Sequence, residues 1–353
     1  MSSSLWAGLD VGVETTAICV IDDTGAILQQ SSCRSDLQSV HCELRWLRRR
    51  RRARVGLEAS GTVALARGLR SLGYSVDLYE TRQLSKFLRV RRNKTDAGDA
   101  IGIAEAGRLG ASLVSKVHLQ SLECQSLQSR LTIRRYMIRQ RVAAMNLLCR
   151  QIEHYGGRIA RCPRSLRLAE AVEREIGRLF GKTSSPLIAE LRRLARDCER
   201  LVAYQLELDC ELRRMALDNE ICRRFMEIPG VGPICALSFY AAVGDPHRFS
   251  RSTDIGCYFG LTPRLHQSGL TRRVGRISRM GNAAVRSLLV RASLTLIKSG
   301  GGAGALQQWA SGVEQRRGRG QARVALARKL GVIMLTMWKK GEPYQPGPSA
   351  AEP

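Results

Sequence analysis

Residues 5–31 read LWAGLDVGVETTAICVIDDTGAILQQS, and this stretch decides the fold of the N-terminal third. Three β-rich runs, at 5–11, at 16–21 and from Ile27 onward, are separated by tight turns, and Asp22-Asp23-Thr24-Gly25 is a hairpin signal. A helix at 36–50 follows, and then strands at 54–58 and 75–79 alternate with helices at 62–72 and 96–109. This order predicts an α/β domain with a mixed sheet over residues 1–112.

The middle of the chain, residues 113–220, has the pattern of long helices. Residues four and three apart form a heptad seam with one polar position; its members are Leu187, Leu191, Leu194, Cys198, Leu201, Gln205, Leu208, Leu212 and Met215. An earlier helix repeats the spacing with Ile138, Val142, Met145, Cys149 and Ile152. We expect a helical hairpin or coiled coil, while an ordinary helical core fits the pattern equally well.

The last third, residues 221–345, predicts a mainly helical domain. The segment Ile228-Pro229-Gly230-Val231-Gly232-Pro233 resembles the hairpin of a helix-hairpin-helix, where glycine lets backbone amides approach a phosphate. Residues 260–279 are rich in Gly, Ser and Arg and are expected to form a loop. Helices at 283–298 and 321–339 are expected around a flexible link at 299–304, and residues 346–353 are expected to be a disordered tail.

The charge balance indicates the class of partner. Lys and Arg number 57 against 31 Asp and Glu, a net charge of +26. Such a polycation gains free energy by releasing counterions from nucleic acid. No apolar run approaches the 18 or more residues of a membrane span, and the N-terminus lacks the pattern of a secretory signal, so we expect no membrane partner and a cytoplasmic location. The 11 cysteines include no CxxC pair, which disfavours a zinc site.

Four acidic residues are candidates for a metal site. Asp10 and Glu58 each end a predicted strand, whereas Asp96 and Asp99 lie three apart on one face of a predicted helix. Such carboxylates can hold two divalent ions that activate one oxygen and stabilise another as it leaves. All-carboxylate ligands suit Mg²⁺ or Mn²⁺. Taken singly, each acid is more often a turn residue or a helix cap.

The N-terminal stretch also has a competing interpretation. Gly8-Leu9-Asp10-Val11-Gly12 with 22–25 resembles the first phosphate loop of sugar kinases of the actin-like fold. That fold requires a second Asp-Gly-Thr-type phosphate loop downstream, which the sequence lacks. A net charge of +26 is also unusual for such a kinase.

From residue 5 to Tyr344 the sequence resembles the DEDD insertion-sequence transposases of the IS one-ten (IS110) family. The most specific matching pieces are KTDAGDA at 94–100, the segment 260–282 with Ser268-Gly269 inside it, and RVALARKL at 323–330. The resemblance implies a RuvC-like RNase H fold that carries the four acids, a helical coiled-coil insertion, and a mainly helical C-terminal transposase domain with a catalytic serine. The sequence departs from the family at 79–82, where YETR stands in place of an Asn-Pro turn.

The resemblance also implies the chemistry and the partners. By motif, Asp10, Glu58, Asp96 and Asp99 would bind Mg²⁺ (or Mn²⁺), and Ser268 would join DNA through a covalent phosphoserine. The implied partners are donor and target DNA, a structured guide (bridge) RNA, and further copies of the chain in a dimer or tetramer. The acids of one protomer would meet the serine of another. A bacterial, nucleoid-associated protein is the implied setting.

Several basic or glycine positions are candidates for nucleic-acid contact, because arginine binds phosphate bidentately. They are Arg48, Arg49, Arg50, Arg51, Arg52, Arg91, Arg92, Lys94, Gly230, Gly232, Arg272 and Arg273. Two other functions stay open: a RuvC-like junction-resolving endonuclease that uses metal-activated water without a covalent step, and a basic RNA-binding scaffold with no activity.

Overall fold

The computed structural model describes residues 4–50, 52–90, 94–110, 113–159, 166–181, 185–269, 271–298 and 304–345. Arg51, Arg91, Arg92, the expected link at 299–303 and the tail at 346–353 lie outside the described residues, as does the side chain of Arg272. The chain divides into two compact units, Met1–Gln120 and Ser121–Pro353. The finer division into three domains and a tail stays a prediction.

The first unit is built on a mixed six-stranded sheet of order β3-β2-β1-β4-β5-β6. Its strands are β1 (Leu5–Val11), β2 (Thr15–Ile21), β3 (Ile27–Arg34), β4 (Ala53–Glu58), β5 (Val76–Tyr79) and β6 (Lys116–Val117). The first three form an antiparallel meander, and β4 and β5 continue the sheet in parallel with β1. The predicted α/β domain with a mixed sheet is confirmed.

The helices of this unit are α1 (Leu37–Leu44), α2 (Val63–Ser71), α3 (Thr81–Leu88) and α4 (Asp96–Leu109). The prediction of one helix over 36–50 is wrong in its second half, since α1 ends at Leu44 and a 3-10 helix takes Arg45–Arg49. Helix α3 was not predicted, and its N-terminus is capped by the Glu80 carboxylate, which accepts from the Gln83 amide at 2.8 Å. A glutamate cap of this kind is uncommon.

Helix α4 lies against the sheet at backbone distance because two glycines leave room for it. A Cβ at Gly8 would be 2.1 Å from the Ala100 carbonyl oxygen and 2.3 Å from the Ala104 nitrogen. Gly56 is the register partner of Gly8 in the neighbouring strand, and a Cβ there would be 3.3 Å from the Ile103 side chain. Side chains alternate along a strand, so the residues two places further on face the same side as α4.

The second unit is mainly helical. Its helices are α5 (Leu122–His154), α6 (Leu168–Phe180), α7 (Pro186–Asp218), α8 (Glu220–Met226), α9 (Pro233–Val243), α10 (Asp254–Tyr258), α11 (Ala283–Lys298), α12 (Gly304–Arg317) and α13 (Arg319–Lys340). Helices α5 and α7 pair along their lengths, and their ends near Leu127 and Leu212 share a core with α8, α9, α11 and α13. In the ranges given above, no helix combines the length and apolar character needed to cross a membrane.

The buried stripe of α7 differs from the predicted heptad seam at four of its nine positions. Leu187, Leu194, Leu201 and Met215 are only partly buried, and their neighbours Ile188, Ala195, Val202 and Ala216 are buried instead. Helix α7 packs against both α5 and α6, so it buries a wider face than a two-helix seam does. Gln205, the predicted polar position, is buried and donates to the Asp209 carboxylate at 3.3 Å. A coiled coil stays a prediction.

The close packing at Gly8 gives a stability prediction. Gly8→Ala forces the backbone of α4 away from β1, and overpacking of this kind lowers the free energy of unfolding by about 1–3 kcal/mol. Urea denaturation measures the change. The matched control is Gly177→Ala in α6, where an added Cβ meets nothing within 4 Å; alanine there raises the free energy by up to about 1 kcal/mol. Equal effects at the two positions would contradict the close contact.

Candidate functional site

The four predicted acids come together at the carboxyl edge of the sheet. Asp10 lies near the end of β1, and Glu58 ends the adjacent parallel strand β4. Asp96 and Asp99 occupy the first turn of α4, which begins with the Thr95 hydroxyl accepting from the Gly98 amide at 3.0 Å. Because α4 meets β1 at Gly8, two residues before Asp10, that first turn lies beside the Asp10 carboxylate.

The pKa of Asp10 reflects the nearby acids. The pKa of Asp10 is raised from 3.8 to about 6, first by burial and then by the negative charges of Asp99, Asp96 and Glu58. Lys94 acts in the opposite direction and lowers the pKa of Asp10. Each acid therefore disfavours ionisation of Asp10, as expected when carboxylates share one site.

The site fits a divalent cation by its charge and its donor atoms. All four ligand candidates are hard carboxylate oxygens, which Mg²⁺ and Mn²⁺ prefer, and a cation relieves the repulsion that raises the pKa of Asp10. As they stand, however, no three His, Cys, Asp or Glu side chains in the described ranges are close enough to coordinate one ion.

The predicted catalytic serine lies on a β-hairpin in the second unit. The expectation of a loop over 260–279 is wrong, since β7 (Pro263–Ser268) pairs with β8 (Thr271–Ile277). Ser268 is opposite Thr271, and His266 is opposite Arg273, so these four side chains share one face. They are exposed, which leaves the Ser268 hydroxyl accessible to a nucleic-acid backbone. Guanidinium groups on such a face can bind phosphate.

Two glycines fix the base of this hairpin. A Cβ at Gly260, where φ is +65°, would be 2.1 Å from the Met280 carbonyl oxygen. A Cβ at Gly281, where φ is +87°, would be 2.0 Å from the Tyr258 carbonyl oxygen. Arg286 ties the same region down by donating to the Phe259 carbonyl at 2.9 Å. The reciprocal backbone contacts hold the hairpin on the helical core and project Ser268 at its tip.

The helix-hairpin-helix candidate consists of α8, the turn at 227–232 and α9. Gly230 has φ +87°, and a Cβ there would be 2.5 Å from the Ala292 carbonyl oxygen, so packing against α11 requires a glycine at this position. Gly232 is the N-cap of α9 and has open space around it, with no side-chain cap. Of the two candidate glycines, Gly232 is therefore the one placed for contact with a phosphate.

The predicted basic contacts do not form one group. Lys94 precedes α4 and acts on Asp10, whereas Arg48, Arg49, Arg50 and Arg52 precede β4, at the opposite end of that strand from Glu58. Arg273 lies on the serine hairpin in the other unit.

Sequence reasoning missed His266 and its place beside Ser268. The signal was the alternation of residues 263–268, PRLHQS, before the turn at Ser268-Gly269. The apolar half of that alternation is short, with Pro263 and Leu265 followed by Gln267, and it is exposed, so it is a weak signal for a strand.

Two family profiles match the chain: a DEDD transposase profile of IS110 elements over residues 7–156 and the transposase IS116/IS110/IS902 family over residues 222–308. The transposase for insertion sequence element IS1111A of Coxiella burnetii is 31% identical across 96% of this chain and 91% of the relative. A probable family 20 transposase of Pseudomonas aeruginosa is 28% identical across 83% of this chain and 86% of the relative. A pilin gene-inverting protein of Moraxella bovis is 30% identical over 119 residues, 33% of this chain and 36% of the relative.

The raised pKa of Asp10 predicts that Asp10→Asn stabilises the metal-free protein. Because the pKa in the folded state, about 6, lies above the ordinary value of 3.8, folding stability falls as the pH rises from 3.8 to about 6 and stays lower above that. Asparagine cannot ionise, so we expect a gain of about 1 kcal/mol near neutral pH, a figure reduced for the half-exposed carboxyl. Urea unfolding in EDTA across this pH range measures it.

Asp22→Asn is the matched control, for which we expect the opposite change in the free energy of unfolding. Hydrogen bonds from the Thr24 hydroxyl and then from the Ala26 and Thr24 amides lower the pKa of Asp22, so its ionised form stabilises the fold above the ordinary pKa. Asp22→Asn therefore lowers the free energy of unfolding near neutral pH. The difference disappears in acid, where Asp22 is protonated in the folded and the unfolded state. A gain for Asp10→Asn that persisted below the ordinary pKa would contradict the prediction, since it would show that the gain does not arise from ionisation of Asp10.

Proposed function

This chain belongs to the IS110 family of transposases, and we propose that it cuts and rejoins DNA with Ser268 as the nucleophile and a divalent-metal site at Asp10, Glu58, Asp96 and Asp99. The family makes it an enzyme of DNA cleavage and strand transfer. The observation that carries the metal site is the backbone contact of α4 with β1 at Gly8, which puts Asp96 and Asp99 beside Asp10, while Glu58 ends the neighbouring strand. A RuvC-like RNase H fold is the finer architecture that we propose for the first unit.

The four acids lie on two neighbouring strands and one helix, and such regular elements hold the side chains of a metal site in fixed positions. Asp10 and Glu58 extend from neighbouring strands, and Asp96 and Asp99 extend from the first turn of a helix held at backbone contact. When bound, a divalent ion of the Mg²⁺ or Mn²⁺ type polarises a phosphate oxygen and stabilises the departing oxygen. Lys94, just before α4, adds a positive charge beside the acids where a DNA phosphate would arrive.

The covalent step is a transesterification that balances without an oxidant or a reductant. The Ser268 oxygen forms a bond to phosphorus while one phosphodiester P–O bond breaks, and the released sugar hydroxyl takes up a proton. Ser268 loses its own proton, for which the His266 imidazole on the same face is an available acceptor. Arg273, opposite His266, supplies a guanidinium for the phosphate oxygens. Attack by a second sugar hydroxyl reverses the step and joins new strands.

The proposal includes several partners. Donor and target DNA follow from the transposase family, and the net charge of +26 supports extensive contact with nucleic acid, including a structured guide RNA. The acids and the serine belong to different compact units, which supports a dimer or tetramer whose active site combines the acids of one protomer with Ser268 of another. A cytoplasmic, nucleoid-associated location belongs to the same proposal.

Ser268→Ala tests the nucleophile. The variant is expected to lose strand exchange and the covalent protein–DNA adduct while its affinity for DNA stays within about twofold, because binding rests mainly on the cationic surface. Adduct formation is measured on denaturing gels with labelled DNA. Thr271→Ala is the matched control, since it removes the hydroxyl directly across the hairpin, and it should keep the adduct. DNA cleavage by Ser268→Ala without an adduct would instead indicate the junction-resolving endonuclease that uses metal-activated water.

Mixing two inactive variants tests the shared active site. In a mixed oligomer, an Asp10→Asn protomer supplies an intact Ser268, and a Ser268→Ala protomer supplies intact acids. If acids and serine come from different protomers, the mixture regains strand exchange at about half of the sites or fewer. Each variant alone should be inactive, and recombination of a reporter plasmid measures the recovery. A mixture as inactive as its components would place the acids and the serine of each site in one protomer.

A further inference from the structure

A second basic surface of the first unit lies away from the carboxylates. We name it the arginine turn: Arg45, Trp46, Arg48, Arg49, Arg50 and Arg52. It leads into β4 at Ala53, and the Arg52 carbonyl accepts from the Leu5 amide at 3.3 Å, where β1 begins. Glu58 ends the same strand five residues later, so the arginine turn and the acidic site are about 17 Å apart at a rise of about 3.3 Å per residue.

The 3-10 geometry decides which side chains point outward. Three residues per turn place positions i and i+3 on one side. Leu44 and Leu47 are 0% and 1% exposed, and they fix that side in the core. Arg45 and Arg48 therefore share a second side, and Trp46 and Arg49 share the third. In an α-helix, with 3.6 residues per turn, positions i and i+3 would not lie directly above one another.

Trp46 is held in place with part of its ring in solvent. It is 36% exposed, and its Nε1 donates to the Gln29 side-chain oxygen at 2.6 Å. The Gln29 amide nitrogen in turn donates to the Glu43 carboxylate at 3.1 Å. These bonds fix the orientation of the indole, and an ordered aromatic ring with an accessible surface is a stacking partner for an unpaired base.

Four cations of the turn are available for a ligand. Arg45, Arg48, Arg49 and Arg50 are exposed and make no ion pair with another described residue. Asp77 is paired with Arg54 at 3.3 Å and with Lys116 at 2.7 Å. Glu43 keeps its negative charge, because it accepts from the neutral Ser31 hydroxyl and Gln29 amide. These four arginines outnumber it, so the turn keeps a net positive charge.

We propose that the arginine turn binds a single-stranded segment of nucleic acid, with its phosphates on Arg45, Arg48 and Arg49 and one unpaired base stacked on Trp46. Glu58 lies about 17 Å away along β4, so the arginine turn is a site separate from the four acids. The second site deepens the proposed function and rests on it, since it gives a protein that acts on DNA a separate place for a guide strand or a displaced strand.

Binding by the full chain with Asp10→Asn in EDTA tests this site without cleavage. Fluorescence anisotropy with a labelled single strand, as RNA and as DNA, and with the corresponding duplex gives three affinities. Removing two phosphate contacts with Arg48→Ala/Arg49→Ala should weaken single-strand binding about tenfold and reduce the salt slope by about 1.4. Trp46→Leu should weaken it about fivefold or more, and Trp46→Phe should retain most of the affinity. Circular dichroism and Tm verify folding.

The matched control is Arg193→Ala/Arg200→Ala, which removes the same charge from exposed, ion-paired positions of α7. A stronger effect at the turn than in the control supports the site, and the tighter of the two single strands identifies RNA or DNA as the ligand. Equal losses in both double variants, unchanged binding by Trp46→Leu, or a loss in Arg48→Ala/Arg49→Ala that is as large for the duplex as for the single strands would each overturn it. None of these results affects the Ser268 adduct, so failure of this site is distinguishable from failure of the proposed function.

Discussion

The backbone contact between α4 and β1 is the constraint on which the acidic site depends. Gly8 has no side chain, and a Cβ at this position would be only 2.1 Å from the Ala100 carbonyl oxygen. That approach brings the first turn of α4, with Asp96 and Asp99, to the end of the strand that carries Asp10. Burial, and after it the negative charges of the other three acids, raises the pKa of Asp10 to about 6. The ionised acids therefore repel one another, and a divalent ion at the proposed site would relieve that repulsion.

The sequence alone identifies the acids but not the contact that brings them together. Asp10 and Glu58 follow β-rich runs, and Asp96 and Asp99 have helical spacing, so each was found from local pattern. Their convergence depends on how closely α4 approaches the sheet. A signal for that approach was present, because Gly8 and Gly56 are isolated glycines inside strands, which often mark a close backbone approach. Local periodicity does not say which element makes the approach.

The two errors in the second unit have different physical causes. The serine hairpin was expected to be a loop because a strand is usually recognised by a sustained apolar alternation, and here it is short and solvent-exposed, with Leu265 opposite Val274. Its conformation is instead imposed from its base, where Gly260 and Gly281 contact opposing backbone. The seam of α7 was misplaced for another reason. A heptad pattern assumes one neighbouring helix, whereas α7 contacts α5, α6, α8 and α9, so its buried stripe is wider and includes Ile188, Ala195 and Val202.

In the first unit the arginine turn and the four acids lie at opposite ends of β4. This arrangement allows one unit both to attract nucleic acid and to keep its acids free of arginine partners. A net charge of +26 attracts nucleic acid, but arginines beside the four acids would pair with them and compete with a metal ion. The arginine turn precedes β4 and Glu58 ends it, so about 17 Å separates them, roughly two screening lengths at physiological salt. Among the described residues, Lys94 lowers the pKa of Asp10, and that pKa is raised nonetheless. Placing the arginine turn at the other end of β4 therefore preserves the negative charge of the proposed metal site in a protein with a net charge of +26.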